Sequence, residues 1–203
     1  MTGPSTRRAV YGVLGLVCAT GLVMNFISSL TADEPRSLGT RMLRFFSYFT
    51  IESNILVLAV AVVLAAGALR GGGFAVLYLD ALLGITVTGI VFAAVLAPDD
   101  NDIGLASVLL HYVSPPLALL AWFLLGPSHG RTRRIIGLAL LWPLAYVSWT
   151  LVHGAITDWY PYGFIDADDL GYGPMLRNLV FVMVLALALC AAFIAVDRRR
   201  PQR

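Results

Sequence analysis

Lysine is absent from this chain; all 14 of its basic side chains are arginine. We read that as coding bias rather than physics. Charge of either sign is scarce. Charged residues fill 13% of the 203 positions and hydrophobic ones 59%, whereas ordinary soluble domains carry about 25% charge. So little charge argues against a solvated globular surface and for an integral helical membrane protein. The formal net charge is only +2, and the arginines gather at segment ends, so no nucleic-acid partner is expected. Cysteine is rare too. Cys18 and Cys190 both sit inside apolar runs, where a thiol packs as a small hydrophobe. No helical repeat or low-complexity tract stands out. No clear small-x-small cleavage site follows the first apolar stretch. That stretch also exceeds the roughly 7–15 residues of a signal-peptide core, so it is read as a retained span.

What the chain does have is hydrophobic length. Apolar runs cover 9–30, 45–69, 74–97, 104–126, 135–157 and 175–196. Each approaches the roughly 20 residues that cross a hydrocarbon core of about 30 Å. The expectation is an all-α bundle of six transmembrane helices in one domain, 1–203. Arginine sets the orientation. Arg7, Arg8, Arg70, Arg131, Arg133, Arg134, Arg198, Arg199, Arg200 and Arg203 fall on one side. Asp99, Asp100, Asp102, Asp158, Asp166, Asp168 and Asp169 fall on the other. Arg36, Arg41, Arg44 and Arg177 share that second side and weaken the bias without reversing it. Both termini are therefore expected in the cytoplasm, in a multi-pass plasma-membrane protein.

The second run opens on an unusual stretch, Phe45-Phe46-Ser47-Tyr48-Phe49-Thr50-Ile51-Glu52-Ser53-Asn54. Polar side chains inside a span cost free energy unless they find partners. On one continuous helix Ser47, Thr50, Ser53 and Asn54 share a face, which must look into protein or a wet pocket. Glu52 points roughly the other way, near enough to the interface to snorkel toward water. At about 1.5 Å per residue, Thr50 lies about 8 Å and His111 about 10 Å below the same membrane face. His153 lies about one turn below it, on a stripe with Tyr146, Trp149, Thr150 and Thr157. His111 precedes Pro115 and Pro116, which are expected to kink or break that helix. A broken helix at membrane depth fits a cavity lining.

A hydroxyl and an imidazole at one depth are the minimum for nucleophilic acyl transfer. Thr50 would attack an ester and His111 would take its proton, although Ser47 or Ser53 could do the same chemistry. Two other readings use the same residues. His111 and His153 with Glu52 or Asp80 could ligate zinc, but the two histidines have no local ligand spacing. A kinked fourth span and an intramembrane Asp80 could also belong to a non-enzymatic transporter or lipid-binding scaffold. Arg177 could meet a lipid carboxylate or simply face headgroups. The aromatic loop Asp158-Trp159-Tyr160-Pro161-Tyr162-Gly163-Phe164 reads as an interfacial belt or as a lid over a pocket.

Tyr48-Phe49-Thr50 with Ser53-Asn54, then His111 ahead of Pro115-Pro116, then Trp159-Tyr160-Pro161, resembles the androgen-induced/androgen-dependent transmembrane hydrolase family. Those are six-helix membrane threonine hydrolases that cleave fatty acid esters of hydroxy fatty acids; this chain resembles a bacterial relative. The resemblance implies Thr50 as nucleophile and His111 as catalytic histidine. It implies a membrane lipid or acyl-ester substrate, with neither cofactor nor metal. Ser47, Ser53, Asn54, His153, Trp149 and Tyr146 are then candidates for substrate binding or the oxyanion. In the animal members an asparagine follows the threonine by three positions; here Ser53 holds that place and Asn54 comes next.

Overall fold

With no water in hydrocarbon, each backbone polar group must be satisfied within its own segment, so apolar runs of this length become helices. The computed structural model describes residues 3–33, 35–68, 71–97, 103–127 and 133–199, with the Arg133 side chain excluded. Of the orientation markers, Arg70, Asp99, Asp100, Asp102, Arg131, Arg200 and Arg203 lie outside the described residues. Among those described, six helices are long and apolar enough to cross a membrane. The protein is an all-α, multi-pass membrane bundle.

The chain begins with α1 (Pro4–Thr31), whose proline occupies the first turn, where no backbone N–H is needed. A short amphipathic helix, α2 (Leu38–Phe46), follows. The Ser37 hydroxyl caps it by accepting from the Thr40 N–H at 3.2 Å. Arg41 donates from Nη1 to the carbonyls of Leu30 and Ala32, both at 2.9 Å. That guanidinium satisfies orphan carbonyls at the end of α1 and answers its dipole. Two of the arginines that blur the charge bias thus have local partners, since Arg44 lies 4.5 Å over the ring of Trp159.

The second span differs from the sequence expectation. The helix stops at Phe46 and restarts as α3 (Phe49–Ala66). Ser47 closes α2: its N–H bonds back to Leu43 and Arg44, and its hydroxyl donates to the Leu43 carbonyl at 2.8 Å. Tyr48 is then extended, at φ −80° and ψ 123°. The polar stretch is therefore not one helical stripe. It is a corner, and Thr50 sits in the first turn of α3.

Next come α4 (Gly72–Val91), which runs on as a π-helical turn, Phe92–Leu96, and a short α5 (Leu105–Ser107). A second π segment, Val108–Val113, leads into α6 (Ser114–Leu125). After α7 (Arg133–Ala139) the chain steps at Leu140 into α8 (Leu141–Thr157). A 3-10 turn, Gly163–Ile165, and α9 (Ala167–Leu170) lead into α10 (Tyr172–Arg199).

The packed centre is α1, α3, α4 and α6. Tyr11 and Tyr78 share a hydrogen bond of 2.8 Å inside it, and Cys18 and Cys190 pack into the same core. By contrast α8 and α10 offer most of their apolar surface outward, including Leu144, Val152, Ile156, Val180, Phe181 and Val184, as lipid-facing helices do. They scarcely touch each other, so the space between α4, α8 and α10 is filled by long side chains around a cavity.

Candidate active site

The π segment at 108–113 is built around the two prolines. Its five-residue register would pair the Leu110 carbonyl with the N–H of Pro115, which proline lacks. The Asn54 amide supplies the replacement, donating from Nδ2 to the Leu110 carbonyl at 3.2 Å and to the Thr50 carbonyl at 2.9 Å. Its Oδ1 accepts from the Ser114 hydroxyl at 2.7 Å. So the prolines do not sever the fourth span; they shift its register, and α6 resumes at Ser114. Such π turns concentrate at functional sites. Asn54 is fully buried and ties the Thr50 turn to the His111 turn. The Ser114 hydroxyl also reaches the Leu110 carbonyl, at 3.1 Å, so Asn54→Ala leaves that pair bonded to each other but cuts the tie between the two helices. The expected cost is about 1–3 kcal/mol, read as a lower thermal midpoint in detergent.

That bracket brings Thr50 Oγ1 to 3.0 Å from His111 Nε2. The other ring nitrogen, Nδ1, lies 3.0 Å from the Ser107 carbonyl and 3.1 Å from its hydroxyl. A carbonyl only accepts, so it places the ring proton on Nδ1 and leaves the Nε2 lone pair for the threonine hydroxyl. Phe92, at the start of the other π turn, stacks on the imidazole with centroids 3.8 Å apart and 17° between planes. The ring is therefore held by an edge and a face.

The helix corner at Ser47–Tyr48 contributes a donor. In the first turn of α3 the Thr50 N–H has no intrahelical partner, and it donates to the Tyr162 phenol at 3.3 Å. The same phenol lies 3.5 Å from Thr50 Oγ1. Burial pushes the Tyr162 phenol up to about 12, against the pull of its hydrogen bonds to Thr50, so it stays a donor at any ordinary pH.

Tyr162 arrives on the aromatic loop, which therefore covers the pocket. Trp159 meets Tyr48 edge-on at 5.9 Å, and Tyr48 meets Tyr162 at 5.7 Å. Asn178 donates to the Phe164 carbonyl at 2.7 Å. Tyr160 lies flat against Gly154, where even a methyl group would collide with the ring. Gly154→Ala must push Tyr160 aside and lift the loop. We expect the loop's susceptibility to protease to rise, read by limited proteolysis beside the wild type.

The remaining candidates take other places. Ser53 donates to the Phe49 carbonyl at 2.7 Å and pairs with Thr88 at 2.8 Å; it joins α3 to α4 and does not meet His111. Ser47 is the helix end itself. Its carbonyl accepts from Tyr146 at 3.0 Å and its hydroxyl from Trp149 Nε1 at 3.3 Å. With both amide interactions committed to backbone carbonyls, Asn54 is a brace and not an oxyanion donor. Tyr146 lines the cavity beside Thr50. His153 lies between Trp149, stacked at 5.3 Å, and Trp159, edge-on at 5.7 Å, in the aromatic packing behind the loop. Glu52 does not simply snorkel; it accepts from Trp142 Nε1 at 3.1 Å. Asp80 is buried, and its Oδ1 has no hydrogen-bond partner among the described residues. Arg177 is exposed at the start of α10. No group of three His, Cys, Asp or Glu that could hold a metal occurs among the described residues, so the zinc set is not assembled there.

Tyr162 and Ser107 are the two contributors that the residue pattern does not single out. The only signal for Tyr162 is the aromatic density of its loop. Ser107 acts through a backbone carbonyl, which no residue type advertises.

Beside Thr50 opens a partly enclosed cavity. It is lined by α4, α8, α10 and the loop, and almost all the surface facing it is carbon. No family profile, curated protein or solved structure matches this chain.

Proposed function

We propose that the protein is an intramembrane ester hydrolase with Thr50 as nucleophile and His111 as general base. The observation that carries this reading is the 3.0 Å contact from Thr50 Oγ1 to an imidazole whose far nitrogen is held by the Ser107 carbonyl. It has the layout of a nucleophile, a base and an orienting acceptor.

In the first half-reaction the Thr50 proton passes to His111 Nε2 as Oγ1 attacks the ester carbonyl. The carbonyl π pair moves onto oxygen. In this reading the Thr50 N–H and the Tyr162 O–H exchange their mutual contact for bonds to the oxyanion. Collapse expels the alcohol oxygen, which takes the proton from His111 and leaves an acyl-threonine. Water, deprotonated by the same imidazole, then releases the carboxylic acid and restores Thr50. The carbon-lined cavity supports a lipid as substrate. The resemblance to the androgen-induced hydrolases supports fatty acid esters of hydroxy fatty acids as the first class to assay, and the plasma membrane as the location.

A fluorophosphonate probe tests the assignment. Wild-type protein should be labelled covalently, and Thr50→Ala and His111→Ala should not. Equal labelling of all three would remove Thr50 as the nucleophile.

A second reading, a lipid-binding protein without catalysis, is favoured by the same cavity. It predicts lipid retention on purification and no covalent labelling at Thr50.

A further inference from the structure

We infer that one stripe of α8, made by Trp142, Tyr146 and Trp149, positions the Thr50 turn by holding the chain broken at Ser47. This rests on the hydrolase reading for what the turn does, and on hydrogen bonds alone for what holds it. The three side chains stand four and three residues apart, so they share a face of α8. Trp142 donates from Nε1 to Glu52 at 3.1 Å, and its ring stacks on Phe49 at 4.9 Å. The Tyr146 hydroxyl donates to the Ser47 carbonyl at 3.0 Å, and its ring meets Phe49 edge-on at 4.8 Å. Trp149 donates from Nε1 to the Ser47 hydroxyl at 3.3 Å. All three bonds end on the corner between α2 and α3 or on the first turn of α3.

The Ser47 carbonyl is the decisive group. An unbroken helix would pair it with the Ile51 N–H, four residues on, and would pair the Thr50 N–H with the Phe46 carbonyl. In the fold the Ile51 N–H bonds to the Tyr48 carbonyl at 3.0 Å. The Ser47 carbonyl goes to Tyr146 and the Thr50 N–H to Tyr162. The stretch from Phe45 to Thr50 contains neither glycine nor proline, so the local sequence does not force the break. A phenol from another span takes the carbonyl that the unbroken helix would use, and an indole one turn on anchors the same residue. Tyr146 thereby keeps the Thr50 N–H out of the helical ladder and available to the proposed oxyanion. It acts through the backbone, as a positioning residue.

The test uses full-length protein in lipid nanodiscs and has two arms. In the first, Tyr146→Phe keeps the ring against Phe49 and deletes only the hydroxyl; kcat should fall about tenfold with KM nearly unchanged. Phe49→Pro supplies the rescue. Proline costs no hydrogen bond at the first position of a helix, and Tyr48 already has the extended backbone that a following proline imposes. Inside an unbroken helix the same proline would be excluded. In the Phe49→Pro background, Tyr146→Phe should therefore change kcat by less than about twofold. In the second arm, spin labels on Leu38→Cys and Val62→Cys, both exposed positions, read the corner without catalysis. Wild type should give one distance, Tyr146→Phe should add a second component, and Phe49→Pro should remove it. Trp149→Phe, which deletes the other donor to Ser47, keeps the test decisive where Tyr146→Phe fails to fold. That distance pattern without ester turnover in any form would uphold the brace and overturn the hydrolase reading. A loss of about tenfold in both backgrounds, or an unaltered kcat with a single distance in Tyr146→Phe, would overturn the brace.

Discussion

Thr50→Ala is expected to reduce ester turnover about a thousandfold or more, and His111→Ala by a similar factor. The two side chains act as one unit through a 3.0 Å contact. The double variant should therefore be no slower than either single one, because removing the second member of a broken pair removes nothing further. Thr50→Ser should keep activity, since the hydroxyl and its route to Nε2 remain and the hindering methyl is gone. His111→Gln separates chemistry from packing. Its amide fills much of the ring's space against Phe92 but cannot serve as the base, so it should fold and still fail. Assays in detergent or nanodiscs at matched expression, with a monodispersity check, decide these outcomes. Equal turnover in wild type and Thr50→Ala would eliminate the mechanism.

Tyr162→Phe should lower kcat about a hundredfold and leave KM nearly unchanged. In the proposed mechanism it deletes one of the two oxyanion donors, and loss of one such donor costs about 10²–10³ in rate. The ring and its contacts with Tyr48 and Phe164 stay, so the loop should remain seated. The pH profile adds an independent readout. Burial holds this phenol protonated up to about 12, so it cannot cause any loss of activity between pH 8 and 10. The sign is the same for stability. A phenol with its folded pKa above the unfolded value of about 10 contributes stability below that pH and loses it as pH climbs toward 12. If turnover falls between pH 8 and 10, Tyr162→Phe should leave the shape of that limb unaltered. A limb that disappears in the variant would show that the phenol titrates in this range.

The six spans could be read from composition because the bilayer allows few alternatives once apolar runs reach this length. Depth along two such runs put Thr50 and His111 at one level, and the folded chain sets them in hydrogen-bond contact. The corner at Ser47–Tyr48 was not readable. The apolar run continues through it without a glycine or proline, and only the back-bonds of Ser47 to Leu43 and Arg44 reveal the stop. The fate of the Pro115 step was half readable: proline removes a donor, but what replaces it is Asn54, from another helix, together with the Ser114 hydroxyl, both reaching the Leu110 carbonyl. The partners of Asn54 and Ser53 were unreadable for the same reason. A buried polar side chain declares that it needs partners, not which ones. Tyr162 is 112 residues from Thr50, and no periodicity links a loop to a helix start across that distance.

The most direct measurement traps the covalent intermediate. A slowly deacylating ester is incubated with the protein, the reaction is quenched in acid, and the modified peptide is sequenced by tandem mass spectrometry. An acyl group on the Thr50 hydroxyl, absent from His111→Ala, is the predicted result. An adduct on Ser47, Ser53 or any other side chain, or steady turnover in Thr50→Ala, would contradict it.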